Sequence, residues 1–290
     1  GLMLVALGAA RLGTVIKYIP HPVIIGFTTG IAVIIWVGQW KDFLGLHTAP
    51  NAAHFHDKLA SLLVALPDFH PATSALAVFA LLLTIYSPKL FKRIPGPLVA
   101  MVVVTLVQVV FHFPGVATIG SAFGGIPQEL PRFQLPQVSA VELAQLIGPA
   151  FTIALLGAIE SLLSAVVADG MAGGPMSARH EPNQELIGQG IANIAAPLFG
   201  GFAATGAIAR TATNIRNGAT SPLAGITHAA FLVLVVLVCA PLADHIPLCA
   251  LSAILFVVAW NMAELRHFWH LARTAPRSDV IILLITFGLT

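Results

Sequence analysis

Two charged residues of this sequence lie inside otherwise apolar stretches: Glu160 in GAIESLLSAVVADGM and Arg210 in FGGFAATGAIARTATN. An ionised side chain at the centre of a bilayer costs at least ~3 kcal/mol, so such residues mark ion pathways and substrate sites. Ser164 follows Glu160 by one helical turn, which puts carboxylate and hydroxyl on one helix face. Among Ala, Ile, Leu and Val, an ionised Glu160 is poorly solvated unless a bound cation or a proton compensates it. That is the chemistry of a coupling group. Arg210 offers the complement, a cation that offsets the desolvation of an anion. The run before it, FGGFAATGAIA, is too rich in Gly and small residues for a full spanning helix. It reads instead as an extended segment feeding a half-helix, a construction found at the midplane sites of secondary transporters. The half-helix N-terminus would add aligned N–H groups and a positive dipole end. Gly206, Ala207 and Ala209 are small enough for a ligand to approach the backbone, Ile208 completes the stretch, and Gly157 is a similar gap on the facing helix. The plainer readings are a structurally paired Glu160 and an Arg210 that snorkels to an interface.

The elements that must position these groups are membrane helices. The chain of 290 residues is 57% hydrophobic and 9% charged, and its mean hydropathy is +0.90. A soluble domain carries roughly a quarter charged residues, so the composition specifies an all-α polytopic membrane protein. The net charge of +2 does not point to nucleic acid, because the basic residues fall in short loops between apolar runs. Cys239 and Cys249 lack metal-ligand spacing and read as packing residues. The loop histidines 47, 54, 56 and 70 suggest no metal site, and no cofactor motif is present.

Residues 1–16 read as one helix, incomplete at its start. Spans follow at about 23–44, 71–87, 95–113, 140–168, 183–199, 221–240 and 247–263, and a last one from about 278. FHDKLASLLVAL, near residue 60, reads as an interfacial amphipathic helix. Residues 114–139 read as a Pro/Gly loop with a short strand, 200–218 as the broken element, and 264–277 as a connection. Asn183 is the expected N-cap of its helix. Asp169 falls near a helix end, with Arg179, His180, Glu181 and Glu185 in the solvated loop and helix start beyond it. The opening GLMLVALGAARLG and the closing DVIILLITFGLT both read as cut helices, so a fragment of a longer protein is expected. This layout puts Arg11, Lys17, Lys89, Lys92, Arg93, Arg179, Arg216, Arg266, Arg273 and Arg277 on one side. Lys41, Lys58 and Arg132 fall on the other, with Arg210 internal. The positive-inside rule makes the first side cytoplasmic.

IESLLSAVVADGM, NQELIGQGIANI, FGG, TGAIARTATN and SPLAGI, in this order, resemble the signature of the SulP (sulfate permease, solute carrier family 26) anion transporters. GAARLGTVIKYIPHPVIIGFTTGIAV upstream is similar to that family too. The resemblance implies a fold of 14 segments in two inverted repeats of seven, with a core domain moving against a gate domain. This chain would then run from the fourth segment into the thirteenth and lack the STAS domain. Residues 1–16 and 140–240 would be core-type, and residues 17–139 and 241–290 gate-type. The resemblance further implies a homodimer in the cell membrane, the bacterial inner membrane in particular. It places Glu160 and Ser164 opposite Gly206–Arg210 around a small inorganic or organic anion, with Glu160 as the ion-coupling group. Family members that couple to sodium have an Asp and nearby hydroxyls here; this chain has Ile208 where a threonine would be wanted.

The functional expectation is therefore secondary active transport of sulfate, bicarbonate or a dicarboxylate, as proton-coupled symport. Sodium-coupled bicarbonate symport and anion exchange are the alternatives inside the family. A nucleobase transporter of the same fold and a non-transporting anion-binding scaffold are the alternatives outside it. No HExxH, nucleophile motif or paired intramembrane carboxylates point to an enzyme.

Overall fold

The computed structural model describes residues 1–16, 20–48, 54–91, 94–136, 138–173 and 179–290, without the side chains of 15, 16, 140 and 209. Lys17, Lys92 and Arg93 of the charge layout lie outside the described residues. The helices are α1 (Leu2–Ala9), α2 (Gly13–Ile16), α3 (His21–Gly38), α4 (Trp40–Leu44), α5 (Phe55–Ala65), α6 (Pro71–Leu90), α7 (Gly96–Phe111), α8 (Ile119–Phe123), α9 (Ala140–Ala172), α10 (Pro182–Leu198), α11 (Ile208–Arg216), α12 (Leu223–Ala243), α13 (Leu248–Met262), α14 (Leu265–Thr274) and α15 (Arg277–Leu289). Among the described residues, five helical stretches are long and apolar enough to cross a membrane. They are His21–Leu44, Pro71–Leu90, Val141–Ala172, Leu223–Ala243 and Leu248–Thr274.

The chain divides into two compact units, residues 1–19 with 129–233 and residues 20–128 with 234–290. In the first unit α1 packs along α10, while α9 packs against α10 and α11. Leu4, Ala154, Ala158, Leu162 and Leu186 form its buried core. The backbones of α1 and α10 come close, because a Cβ on Gly8 would sit 2.6 Å from the Asn183 carbonyl oxygen. α12 is the most apolar of the spans and only 6% buried, a surface suited to lipid.

In the second unit α3 packs against α15, α13 against α6, and α3 against α13. Two sets, α3–α4/α5/α6 and α13/α14/α15, repeat the order span, short helix, span. The pairs α3–α15 and α13–α6 correspond under an exchange of the two sets. Small residues carry these crossings: Ala77, Ala80, Ala250 and Ala253 are all 0% exposed within a core that includes Phe43, Leu76 and Val104. Small side chains let membrane helices approach, where lipid provides no hydrophobic drive toward association.

The structure corrects several sequence expectations. Residues 1–16 are two helices, because Arg11 is left-handed (φ 60). Leu12 N–H donates to Leu7 O and Arg11 N–H to Gly8 O, a Schellman ending that closes α1. Residues 114–139 contain the short helix α8, closed by a Thr118–Ser121 capping box. Where a short strand was expected, the described residues show an isolated bridge between Thr118 and Pro247. Residues 264–277 contain α14, whose helical period is disguised by its Arg and His content. Finally, Glu181 caps α10 by accepting from Gln184 N–H, because Asn183 Oδ1 is engaged by Gly13 N–H at 3.0 Å.

Candidate functional site

α9 is the long support of the first unit. It begins at Ser139, whose hydroxyl accepts from Glu142 N–H in a capping box. Gly157, Ser161 and Ser164 share one of its faces, by the i, i+4, i+7 spacing of a helix. Ser161 and Ser164 are buried at 1% and 4% exposure. Residues 201–207 have no helix and lie in the groove beside this face.

Successive turns of α9 hold points of that segment and of α11 beyond it. Thr205 Oγ1 donates to Gly157 O at 3.1 Å and lies 2.8 Å from Ser161 Oγ. Gly206 N–H donates to Ser161 Oγ at 3.2 Å, and Ser164 donates to Thr211 Oγ1 at 3.0 Å. A Cβ on Gly206 would lie 3.4 Å from Ser161 Cα, so the segment runs in van der Waals contact with α9. From the other side α10 grips the Ala204 peptide. Asn193 Oδ1 accepts from Ala204 N–H at 2.8 Å, while Asn193 Nδ2 and Gln189 Nε2 donate to Ala204 O. Non-helical backbone inside a membrane protein survives only if its polar groups are satisfied in this way. The amide of Asn193 does the work of a neighbouring strand.

The segment then enters α11, and this helix start is unusual. Its N-cap is Ala207, with no side-chain cap, and no acidic residue lies in the first turn. The first N–H groups therefore project uncapped, and Arg210 occupies that same turn. A cation there opposes the helix dipole and is costly for an isolated helix. Dipole, free N–H groups and guanidinium together form a concentrated positive end.

Of the residues expected at the site, Ser164 and Gly206 are brought together through Thr211 and Ser161. Glu160 is half-buried one residue before Ser161, and its carboxylate takes no hydrogen bond from a described residue. Arg210 and Ala207 are exposed and Ile208 is half-buried; the Ala209 side chain lies outside the described residues. Glu160 and Arg210 form no ion pair with each other. Sequence reading missed Ser161, Thr205, Thr211, Gln189 and Asn193. The signal was present in the i, i+4 pair of Gln189 and Asn193 in NQELIGQGIANI, and in serines at 161 and 164 facing threonines at 205 and 211.

A second polar cluster closes the far end of α9. His180 Nδ1 lies 2.6 Å from Asp169 Oδ2, and His180 N–H donates to both Asp169 oxygens at 3.2 Å. His180 is thus tied down, where a solvated loop residue was expected. Beside it, the Gln184 N–H bond holds the Glu181 carboxyl below its usual range. Among the described residues no group of three or more His, Cys, Asp or Glu side chains is placed to hold a metal.

Apolar spans and a pinned extended segment leading into a short helix define a polytopic membrane protein. The chain belongs to the sulfate permease family, whose sequence profile matches residues 1–286. It is 47% identical over 290 residues to YvdB of Bacillus subtilis (strain 168), a protein named for sulfate transport, covering all of this chain and 54% of that one. It is 32% identical over 290 residues to the bicarbonate transporter BicA of Picosynechococcus sp. (strain ATCC 27264 / PCC 7002 / PR-6), covering 99% of this chain and 50% of that one. The chain thus spans about half the length of these relatives. In structure it resembles the transmembrane domain of a cyanobacterial bicarbonate transporter BicA, with TM-score 0.84 and 31% identity over 99% of this chain and 71% of that one. The anion transporter SLC26A9 of mouse has the same fold, with TM-score 0.83 at 20% identity over 99% of this chain and 47% of that one.

Proposed function

We propose that this chain belongs to the membrane domain of a secondary active anion transporter working by alternating access. One observation carries the reading: the α11 N-terminus is uncapped, lacks an acidic residue and holds Arg210 in its first turn. Such an end stabilises an anion and is otherwise an unfavourable way to begin a helix. The ligand is a small anion of the sulfate, bicarbonate or dicarboxylate class, held by the 206–210 backbone and Arg210 beside Glu160 and Ser164. The first unit, which holds every residue of this site, acts as the core domain, and the second as the gate domain. The working assembly is a homodimer in a bacterial inner membrane.

Glu160 couples transport to protons. Its carboxylate has no hydrogen-bond partner among the described residues, so protonation is the direct way to neutralise it in apolar surroundings. A sodium-coupled variant is favoured by the hydroxyls of Ser161, Ser164, Thr205 and Thr211 on the adjoining face, since hard cations take oxygen ligands. Those hydroxyls are already bonded to one another or to backbone, and Ile208 adds no oxygen.

The test uses the complete protein in proteoliposomes, with counterflow of sulfate, bicarbonate, a dicarboxylate and uracil. Anion counterflow, driven uphill by an inward proton gradient without sodium and lost as net accumulation in Glu160→Gln, is expected. Uptake that needs sodium and ignores pH overturns the coupling and keeps the site. Uracil flux without anion flux overturns the substrate class, and anion binding without flux overturns transport itself.

A further inference from the structure

The second unit carries a charged surface of its own, α14. Its chain direction is set by Glu264, whose left-handed φ of 41 ends the path of α13, so α14 is a separate helix. Phe268 anchors it against Phe287 of α15, ring centroids 5.4 Å apart, and α14 also packs on α3.

Its other face is built from Arg266, Trp269, His270 and Arg273. Arg266 and Arg273 are seven residues apart, so they lie within about 20° of each other around the helix. Trp269 flanks them and is 57% exposed. Arg273 Cζ stands 4.7 Å from the centre of the Trp269 ring, which holds the guanidinium close to the indole. Arg277 opens α15 four residues beyond Arg273. All three arginines are exposed, and none makes an ion pair among the described residues. The acidic groups nearby have other partners: Glu264 lies 3.0 Å from His267, and Asp279 accepts from Ser278 at 3.4 Å. The facing helix α3 adds only His21 as a titratable group.

We propose that α14 is a docking helix for anionic phospholipid headgroups, with Arg266, Arg273 and Arg277 meeting the phosphates and Trp269 lying at the headgroup level. An amphipathic helix joining two membrane helices lies in the interface plane, where Trp is the favoured residue. Three unpaired guanidiniums make that position unfavourable against a neutral surface and favourable against an anionic one. Arginine also binds phosphate oxygens in a bidentate way. Charge complementarity therefore selects an acidic lipid as the occupant. The inference is independent of the anion site.

Trp269 provides the readout. In the complete protein with every tryptophan except Trp269 replaced by Phe (Trp36, Trp40 and Trp260 in this chain), Trp269 fluorescence is quenched by lipids brominated on the acyl chain. Brominated phosphatidylglycerol is expected to quench more than brominated phosphatidylcholine at equal mole fraction. Each of Arg266→Gln, Arg273→Gln and Arg277→Gln should lower that preference by up to about five-fold. Equal quenching by both lipids, or a preference that survives the triple substitution, overturns the proposal. So does the absence of quenching by either lipid, which assigns the face to a protein partner. If the tryptophan replacements unfold the protein, native mass spectrometry of the otherwise unaltered chain decides. Loss of retained phosphatidylglycerol in the triple variant supports the docking helix, and unchanged retention overturns it.

Discussion

The two units hold themselves together by different means. In the second, regular helices approach through Ala and Gly, and interhelical polar ties are few: Thr29 donates to Ala263 O at 2.7 Å. In the first, Ser161, Gln189 and Asn193 reach across to one irregular stretch, and Ser164 to the helix that follows it. The difference follows from backbone satisfaction. A helix satisfies its own peptide groups and needs only shape to pack, whereas the open segment 201–207 needs partners from outside. Polar side chains accumulate where the helix is broken, and that is where a ligand can meet free backbone. The amphipathic helices α5 and α14 repeat the lesson at the rims. Each is the short helix between two longer ones of its set. α5 carries Asp57 and Lys58, whereas α14 carries two arginines and no acid; its charge belongs to a surface contact and not to the fold.

If packing in the second unit is steric, its glycines should be its most sensitive positions. A Cβ on Gly26 would sit 2.7 Å from the Leu283 carbonyl oxygen, an atom fixed in the backbone of α15. Gly26→Val should cost about 3 kcal/mol through overpacking, seen as a large drop in thermal stability in detergent. A stable Gly26→Val protein would break the contrast. In the first unit, Asn193→Ala leaves the Ala204 N–H without a partner and its C=O with Gln189 alone. The expected cost is about 2 kcal/mol, with transport lost before the fold. Hydrogen exchange should show new opening at 201–207 and none in α6 or α13.

Smaller changes sharpen the comparison. Ser164→Ala removes one interhelical hydroxyl bond, worth about 0.6 kcal/mol in membrane proteins, and should leave proton-driven uptake largely intact. Loss of coupling in that variant would move Ser164 from anchoring into ion binding. The smallest effect concerns the Glu181 cap. A carboxylate whose pKa is held down in the folded state adds stability above its unfolded value of about 4.3. That contribution is lost as pH falls through the lower, folded value. Exchange of the Gln184 amide should therefore quicken at acid pH in the wild type and show no such step in Glu181→Gln.

Much of the fold was legible because membrane spans announce themselves by length and apolarity. The break at 200–218 was legible for a related reason: FGGFAATGAIA cannot supply the apolar side chains of a span. What stayed hidden depended on three dimensions. The i, i+4 amide pair Gln189/Asn193 in NQELIGQGIANI marks a polar face, but nothing local says that its partner is Ala204. The αL turn at Arg11 has no glycine to announce it. α14 was hidden by its own composition, since LRHFWHLART reads as a basic loop until its apolar residues are placed on one side. Glu160, Ser164 and Arg210 could be singled out because charge and hydroxyls are rare in apolar stretches. Ser161, Thr205 and Thr211 are equally close to the break but lie among enough small residues to pass as packing.

The central claim is that the positive end of α11 holds the transported anion, and Arg210 tests it most directly. The measurement is the concentration dependence of anion uptake by the complete protein in proteoliposomes, comparing Arg210→Ala with Arg216→Ala at the opposite end of α11. Loss of a charged contact to the anion is worth about 1.5–3 kcal/mol, so KM should rise roughly 10- to 100-fold in Arg210→Ala. Arg210→Lys should restore part of the loss, and Arg216→Ala should leave KM near the wild-type value. An unchanged KM in Arg210→Ala, in a protein that folds and transports, would contradict the account and return Arg210 to a snorkelling residue.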